Sequence, residues 1–443
     1  MIKNIIKKYK NKLFLIAYSG GLDSTVLLHQ LFLIQKNNIP DMKIRAIHIN
    51  HNLSPFSNHW LKHCQNKCKK YKIPLIIENI QINTTKNNLE ERLRIKRYQI
   101  FYKNLLNDEI LLTGHHLNDQ CETLFLSLKR ASGPTGLASM SIESMFGKKK
   151  IIRPLLEKNR NELKNWALYH KLKWIEDESN IDIFYDRNFI RHKIIPILEK
   201  RWPYFLKNCA HTANICRQET TVLNQFLKED IQQYLTLDQS LKIKSFKHIN
   251  PIKCHLIIRY WISLYIIKIP SYKIISSIYQ QMIHGRIDSN PKIIINNNEI
   301  RRYKNIIYLI KTSISVKKII LFWHNTKKYL ILPNKLGYLK QNYQGLSVPA
   351  PKKNELINIR FQYEGKILII GRNKRRKLKK IWQEKNIPPW IRNQIPLLFY
   401  NNRFISALGV FVIQTNKQEE KIWKISWQND ILLNKNSNKY LFI

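Results

Sequence analysis

In the first third of the chain, short runs of consecutive apolar residues alternate with longer segments in which apolar residues return every three or four positions. The runs at residues 13–18 (LFLIAY), 43–50 (KIRAIHIN), 74–80 (PLIIENI) and 109–116 (EILLTGHH) read as strands. The segments 25–34, 58–71, 88–106 and 119–130 read as helices. Repeated strand–helix units need crossover connections, so the expected architecture is α/β, a parallel sheet with helices on both faces. Ligands of such sheets sit beyond the carboxyl ends of the strands. Three strand ends here are polar: Ser19-Gly20-Gly21-Leu22-Asp23-Ser24, His48-Ile49-Asn50-His51, and Gly114-His115-His116-Leu117-Asn118-Asp119. Distant in sequence, they are expected to meet in one pocket.

Beyond this region the pattern changes. Residues 148–156 (KKKIIRPLL) read as a strand or an arm leading away from the sheet, and residues 188–234 as long helices with little glycine. Residues 240–315 form a smaller, mostly helical unit. From about residue 318, short strand-like runs (IILFW, YLILP, INIRFQY, KILIIG, FISALGVFVI) surround one basic helical stretch at 372–385, an α+β composition. The expected domains are therefore 1–215, 216–317 and 318–443. The most apolar later stretch, residues 256–267 (LIIRYWISLYII), contains Arg259 and falls short of the roughly 20 residues of a bilayer span, so it reads as a buried helix. The N-terminal MIKNIIKKYKNK imitates a secretory leader, but the apolar run after it ends in a glycine turn without a small-residue cleavage site. Neither export nor membrane insertion is expected.

Charge narrows the class of partner. Against 30 Asp and Glu stand 76 Lys and Arg, a formal net charge of +46. Such a surplus draws polyanions, nucleic acid above all. Lys, Asn and Ile crowd the whole chain, all spelled by A/U-dominated codons, so coding bias accounts for part of the excess. The six cysteines are too few and too irregular for a disulfide framework, which fits a reducing cytoplasm. His59, His63, Cys64 and Cys68 share helix faces as zinc ligands would, yet Trp60, Leu61 and Tyr71 explain that helix by packing. There is no Cys-x-x-Cys.

The glycine turn between the first strand and the first long helix is built for an anion. Gly20 and Gly21 let the backbone approach it, Ser19 and Ser24 add hydroxyl donors, and the helix N-terminus favours negative charge. No Gly-Lys-Ser/Thr follows, which argues against a Walker-type loop. At the fourth strand, His116, Asp119 and Glu122 fall near the pocket mouth, the two acids one helical turn apart. Arg94 and Arg97, at i and i+3, share a face and can grip phosphates. Asp177-Glu178-Ser179-Asn180 is followed by a second arginine pair, Arg187 and Arg191, at i and i+4.

These residues resemble a known family. Ser19 to Ser24 resembles the PP-loop of ATP pyrophosphatases, which split ATP into AMP and pyrophosphate. With His48-Ile49-Asn50-His51, Arg94-Ile95-Lys96-Arg97-Tyr98, His115 to Thr123, Arg130-Ala131-Ser132-Gly133 and Arg153-Pro154-Leu155, the chain resembles the tRNA(Ile)-lysidine synthases of the longer bacterial type. Arg187-Asn188-Phe189-Ile190-Arg191-His192 with Pro196 is similar to that family's RN-x-IRH-x-x-x-P signature. Gly371-Arg372, Lys379-Lys380-Ile381-Trp382, Pro388-Pro389-Trp390, Arg392 and Pro396 resemble its C-terminal tRNA-binding domain. Two positions depart from the pattern: Asn118 stands where many relatives carry an acid, and Asn52 where glycine is usual.

The resemblance implies a Rossmann-like, adenine nucleotide alpha hydrolase-like PP-loop domain, a helical middle domain and a small α+β C-terminal domain. It implies ligation of L-lysine to C2 of the wobble cytidine of a CAU-anticodon tRNA(Ile), with ATP consumed and, together with Mg²⁺, held at the first strand tip. ATP falls to Ser19, Gly20, Gly21, Leu22, Asp23, Ser24, His48 and His116, with Asp23 orienting the metal or the phosphates. Asp119 is expected to bind the lysine ammonium and to take its proton, with Glu122 as second candidate. Arg94, Arg97, Arg130, Arg187, Arg191, Arg372, Arg375 and Arg376 are expected on tRNA phosphates or on pyrophosphate. A homodimer is compatible with all of this. The alternatives are a tRNA thiolase, which lacks its paired cysteines here, and an RNA-binding relative with a decayed ATP site, against which the intact loop argues.

Overall fold

A computed structural model describes residues 2–51, 54–80, 89–266, 270–286, 288–414 and 421–428. The chain divides into two units, Met1–Leu223 and Asn224–Ile443. In the first, a short helix α1 (Lys3–Lys7) precedes β1 (Leu13–Ala17), α2 (Leu22–Asn37), β2 (Ile44–Asn50), α3 (Ser57–Lys70), β3 (Leu75–Asn79), α4 (Leu89–Asn104), β4 (Glu109–Leu112) and α5 (Leu117–Lys129). A further helix α6 (Pro134–Leu137) leads to β5 (Glu143–Phe146) and β6 (Lys149–Ile152).

The sheet order is β3-β2-β1-β4-β6-β5, parallel throughout except for the edge strand β5. Strands buried on both faces read as unbroken apolar runs, and β1 shows why. Phe14 and Ile16 face one core with Val26, Leu27 and Leu163, whereas Leu15 faces the other with Ile47, Phe101 and Leu111. The segment around residue 150 does not leave the sheet: β6 pairs in parallel with β4, Leu111 opposite Ile151, because Ile151 and Ile152 are needed to close the two cores. The fourth strand ends at Leu112, four residues earlier than its apolar run suggested. β1, β2 and β4 are adjacent, with Ala17 opposite Ile47 and Ile16 opposite Leu112, so their carboxyl ends lie side by side.

Helix α7 (Arg160–Tyr169) starts with a reciprocal cap in which Asn159 accepts from the Glu162 N–H and Glu162 from the Asn159 N–H, each at 2.8 Å. Then come α8 (Asp186–Phe189), a wide π turn (Ile190–Ile194), α9 (Ile195–Arg201) and α10 (Phe205–Asp230). Ile190, Ile195, Leu206 and Cys209 pack on Leu117, Cys121 and Leu124 of α5, a small core that fixes the π turn against the helix carrying Asp119 and Glu122.

In the second unit, helices Pro251–Ser263 and Tyr272–Ile278 share a core around Trp261 and Phe246 with a four-stranded antiparallel sheet. The strands Lys292–Ile295, Asn298–Tyr303 and Ile306–Lys311 were not legible as such in the expected helical unit. Their tight turns carry Asn296 and Lys304, both in the left-handed region with φ 54°, without a glycine to mark them. A second core holds Trp323, Trp382, Trp423 and the sheets formed by residues 320–428, and the basic stretch at 372–385 contributes the helix Leu378–Glu384 and, before it, the short strand Arg376–Lys377 paired with Lys366–Ile367. Among the described residues no helix is long and apolar enough to cross a membrane.

Candidate functional site

The loop between β1 and α2 is shaped by its own hydroxyls. Ser24 Oγ donates to the Gly21 carbonyl at 3.1 Å, Thr25 Oγ1 to the Gly20 carbonyl at 3.2 Å, and the Ser19 and Ser24 oxygens are 3.1 Å apart. Gly20 has φ +87°, which a side chain resists. Thr25 is the first residue of the turn to bond back, to the Gly21 carbonyl at 3.0 Å, so the N–H groups of Leu22, Asp23 and Ser24 have no acceptor within the helix. These are the groups an anion takes. Leu22 contributes through its backbone, since its side chain is buried in the core.

Two neighbours close on this loop. Ile175 donates its N–H to the Gly20 carbonyl at 3.0 Å and fills the space where a Gly20 side chain would sit, with Cys64 Sγ beside it. Gly114, past the tip of β4, lies so near the Asp23–Ser24 peptide that a Cβ there would be 3.1 Å from the Asp23 carbonyl carbon and the Ser24 nitrogen. From β2, the buried His48 reaches the Tyr18 carbonyl at 3.0 Å through Nδ1, which therefore carries the proton, and burial pushes its pKa down.

The acidic side of the pocket opens α5. Asp119 Oδ2 accepts the His116 N–H at 3.0 Å, and His116 Nε2 stands 3.5 Å from both Asp119 Oδ2 and Asp23 Oδ2. Burial would lower the His116 pKa, but Asp119, Asp23 and Glu122 outweigh it and the value is raised. His115 is taken the other way, down to about 3, by burial together with Arg153, Arg187 and Arg97, against the opposing pull of Asp119.

Arg187 and Arg191 both turn to the same two carboxylates. Arg187 Nε meets Glu122 Oε2 and Arg191 Nε meets Glu122 Oε1, each at 2.6 Å, and their Nη2 atoms reach Asp119 Oδ1 at 3.2 and 3.1 Å. The Glu122 side chain is fully enclosed. Burial alone would raise the Asp119 pKa; His116, Arg187, His115 and Arg191 overcome it and hold the carboxyl well below the usual range. Asp119 is thus ionised at any ordinary pH and already accepts from three donors.

The other arginines scatter. Arg97 on α4 is close enough to His51 and His115 to depress both imidazoles. Arg94 is exposed, over the Tyr98 ring at 5.9 Å. Arg130 caps the far end of α5, about 16 Å along the helix from Asp119. In the second unit Arg372 Nη1 is 2.5 Å from Glu384, Arg376 pairs with the same carboxylate, and Arg375 is exposed.

Sequence reasoning missed Gly114 as a packing requirement and Ile175 altogether. It also read Arg187 and Arg191 only as phosphate ligands. The signal for their pairing was present, since arginines at i and i+4 match acids at i and i+3 on a facing helix. Asn118 accepts the Arg160 N–H at 3.0 Å at the start of α7, a role that needs no charge. Asn52 lies outside the described residues.

A metal finds one fitting ligand. Asp23 Oδ1 is buried without a hydrogen-bond partner, a hard oxygen of the kind Mg²⁺ accepts when substrate phosphates supply most of its shell. No cage of three or more protein ligands exists among the described residues.

Family profiles match three stretches: a PP-loop domain at residues 1–198, a TilS substrate binding domain at 241–308 and a TilS substrate C-terminal domain at 357–427. The tRNA(Ile)-lysidine synthase of Buchnera aphidicola subsp. Schizaphis graminum is 63% identical over 100% of both chains. That of Shigella flexneri is 40% identical over 94% of this chain and 96% of its own. Among solved structures, a U34-tRNA thiolase from Methanococcus maripaludis aligns at 19% identity and TM-score 0.40, over 46% of this chain and 70% of that one.

Proposed function

Since the chain belongs to the tRNA(Ile)-lysidine synthase family, we propose that it ligates L-lysine to C2 of the wobble cytidine in a CAU-anticodon tRNA(Ile), consuming ATP and releasing AMP and pyrophosphate. It is a C–N bond-forming ligase with a PP-loop ATP site. The C2 carbonyl is a poor electrophile whose oxygen leaves badly; AMP placed on that oxygen leaves well. The supporting observation is the joining of Asp23 and Asp119 through one imidazole, which sets the anion loop and the acidic pocket side by side.

The backbone of Gly20, Gly21, Leu22 and Ser24, with the Ser19 and Ser24 hydroxyls, holds the pyrophosphate portion of ATP, and His48 shapes the loop through Tyr18. A Mg²⁺ held by Asp23 offsets phosphate charge. The lysine ε-amine has a reference pKa near 10.4, so only about one in 2,500 is neutral at pH 7, a deficit of about 4.6 kcal/mol. Asp119 anchors this ammonium. Its depressed pKa separates the two roles expected of it, because a carboxylate held that strongly in the ionised form binds cations well and takes protons poorly. Glu122, enclosed by two guanidinium groups, positions Arg187 and Arg191. Residues 216–317 and 318–443 act as tRNA-contacting domains, the latter through Arg372, Arg375 and Arg376, with Arg94, Arg97 and Arg130 as further phosphate contacts on the catalytic domain. The reaction takes place in the cytoplasm.

Incubation with ATP, radiolabelled lysine and unmodified CAU-anticodon tRNA, followed by nucleoside analysis, tests substrate, nucleophile and product together. Label in a modified cytidine is expected; its absence with intact ATP binding would overturn the assignment.

A further inference from the structure

The stretch Arg187 to His192 has two faces. Arg187 and Arg191 meet the carboxylates of α5, while Asn188 and His192 hold the chain that precedes them. Asn188 Nδ2 donates to the Asp182 carbonyl at 2.9 Å, and His192 Nε2 lies 2.8 Å from the Asn180 carbonyl, to which it donates. Asp182 Oδ1 in turn accepts the Phe184 N–H at 2.9 Å. Arg191 and His192 sit in the π turn, a wide turn of a kind that gathers at functional sites.

The other end of the same segment rests on the ATP loop through Ile175 and Gly20. Residues 175–192 are therefore a strap, pinned to the anion loop at one end and to Asp119 and Glu122 at the other. Its apex faces water with apolar side chains: Ile181 is 71% exposed, Ile183 49% and Phe184 85%. A single exposed apolar residue needs no explanation, but three on a loop braced by the signature helix do.

The geometry points to the apex as a platform for an unstacked base of the RNA substrate, Phe184 supplying the stacking face. This rests on the proposed function and specifies how that substrate is met. Charge selects the base over the phosphates. Glu176, Asp177, Glu178, Asp182 and Asp186, the last paired with Lys129, place 5 of the chain's 30 acids in this one stretch of a chain with 76 cations. Such a rim repels the sugar-phosphate backbone, while an aromatic face and carboxylate acceptors suit a base plane and its N–H donors. Reach agrees: three residues from Phe184 to Arg187 span at most about 11 Å, and Arg187 touches Asp119 at 3.2 Å. Phe184 thus precedes by three residues an arginine that touches the pocket, and the base proposed to stack on it is next in the strand to the one that enters.

Two arms test this on the full chain with unmodified CAU-anticodon tRNA. In steady-state lysidine formation, F184A should raise the KM for tRNA about 5- to 150-fold, the range of one lost base–aromatic stack, with F184W close to wild type and the KM for ATP unchanged in both. Because the side chain is exposed, folding is not at risk. In the second arm, tRNA carrying 4-thiouridine beside the wobble position is irradiated with the wild-type protein, and the crosslink is expected within residues 181–184. Wild-type activity with an unchanged tRNA KM in F184A and crosslinks elsewhere overturns the platform and leaves the activity standing. Crosslinks at the apex without lysidine formation support the platform while the activity assignment fails. Loss of self-association in F184A with no tRNA effect assigns the apex to a second copy of the chain and overturns the proposal.

Discussion

His116 Nε2 lies 3.5 Å from Asp23 Oδ2, an ionic contact between the loop after β4 and the first turn of α2. Burial disfavours a charged imidazole here, yet Asp119, Asp23 and Glu122 raise its pKa above the usual 6.5. A raised pKa in the folded state means that the stabilisation is fully present below about 6.5 and is lost as pH rises through the folded value. The melting temperature of wild type should therefore exceed that of H116Q most below about pH 6.5 and converge on it as pH rises through the raised folded value. A gap independent of pH would remove the imidazolium from this contact.

Glu122 is predicted to be a stability residue as much as an activity residue. Its enclosed carboxylate receives Arg187 and Arg191 at 2.6 Å each. Glu122→Gln leaves two largely buried guanidinium groups with Asp119 as their remaining anion, a loss of about 3 kcal/mol. For a unit of this size that is roughly a 6–12 °C fall in melting temperature. Calorimetry on the variant decides it: unchanged melting with lost activity would instead place Glu122 in direct contact with substrate.

Much of the catalytic unit was legible because its signals are local. The fully apolar β1 announced a doubly covered sheet, and the polar tips of β1, β2 and β4 announced the pocket, since parallel strands place their carboxyl ends on one edge of the sheet. What stayed hidden depends on pairings between distant segments. Nothing in the sequence near Gly114 says that the Asp23–Ser24 peptide lies against it, and nothing near Ile175 says that its N–H caps the Gly20 carbonyl. The arginines of the signature were legible as a pair, but their choice of carboxylate over phosphate was set by the small core of Leu117, Cys121, Ile190 and Leu206, which fixes two helices face to face. The strands at 292–311 were missed because their turns use Asn296 and Lys304 rather than glycine.

Asp119→Asn keeps the shape of the pocket but removes the charge that offsets His116, Arg187 and Arg191. With the charge that anchors the lysine ammonium gone, lysidine formation should fall by about 100-fold or more, the cost of removing one partner of a buried charge pair, while tRNA binding in a filter assay changes little. If Asp119 serves the amine and not the adenylation step, tRNA-dependent ATP–pyrophosphate exchange survives in the variant. Loss of exchange together with ligation would move its role to the first step.

The second unit gives the last prediction, on how tRNA phosphates are gripped. Arg372 and Arg376 flank Glu384: burial pushes its carboxyl up, but the hydrogen bonds and charge of the two arginines together outweigh it and hold the carboxyl below its usual range, whereas Arg375 between them is exposed. Each phosphate contact neutralised by a cation steepens the dependence of binding on salt, so Arg375→Ala should reduce the log–log salt slope of tRNA binding by about one. Arg372→Ala and Arg376→Ala also release Glu384, which then repels the same phosphates, so each should weaken binding more than Arg375→Ala does. ATP affinity should be unchanged in all three, since these residues belong to a different unit from the PP-loop. A triple variant that binds tRNA like wild type across the salt series would show that the basic stretch serves another purpose, and would return its charge to the general cationic excess of the chain.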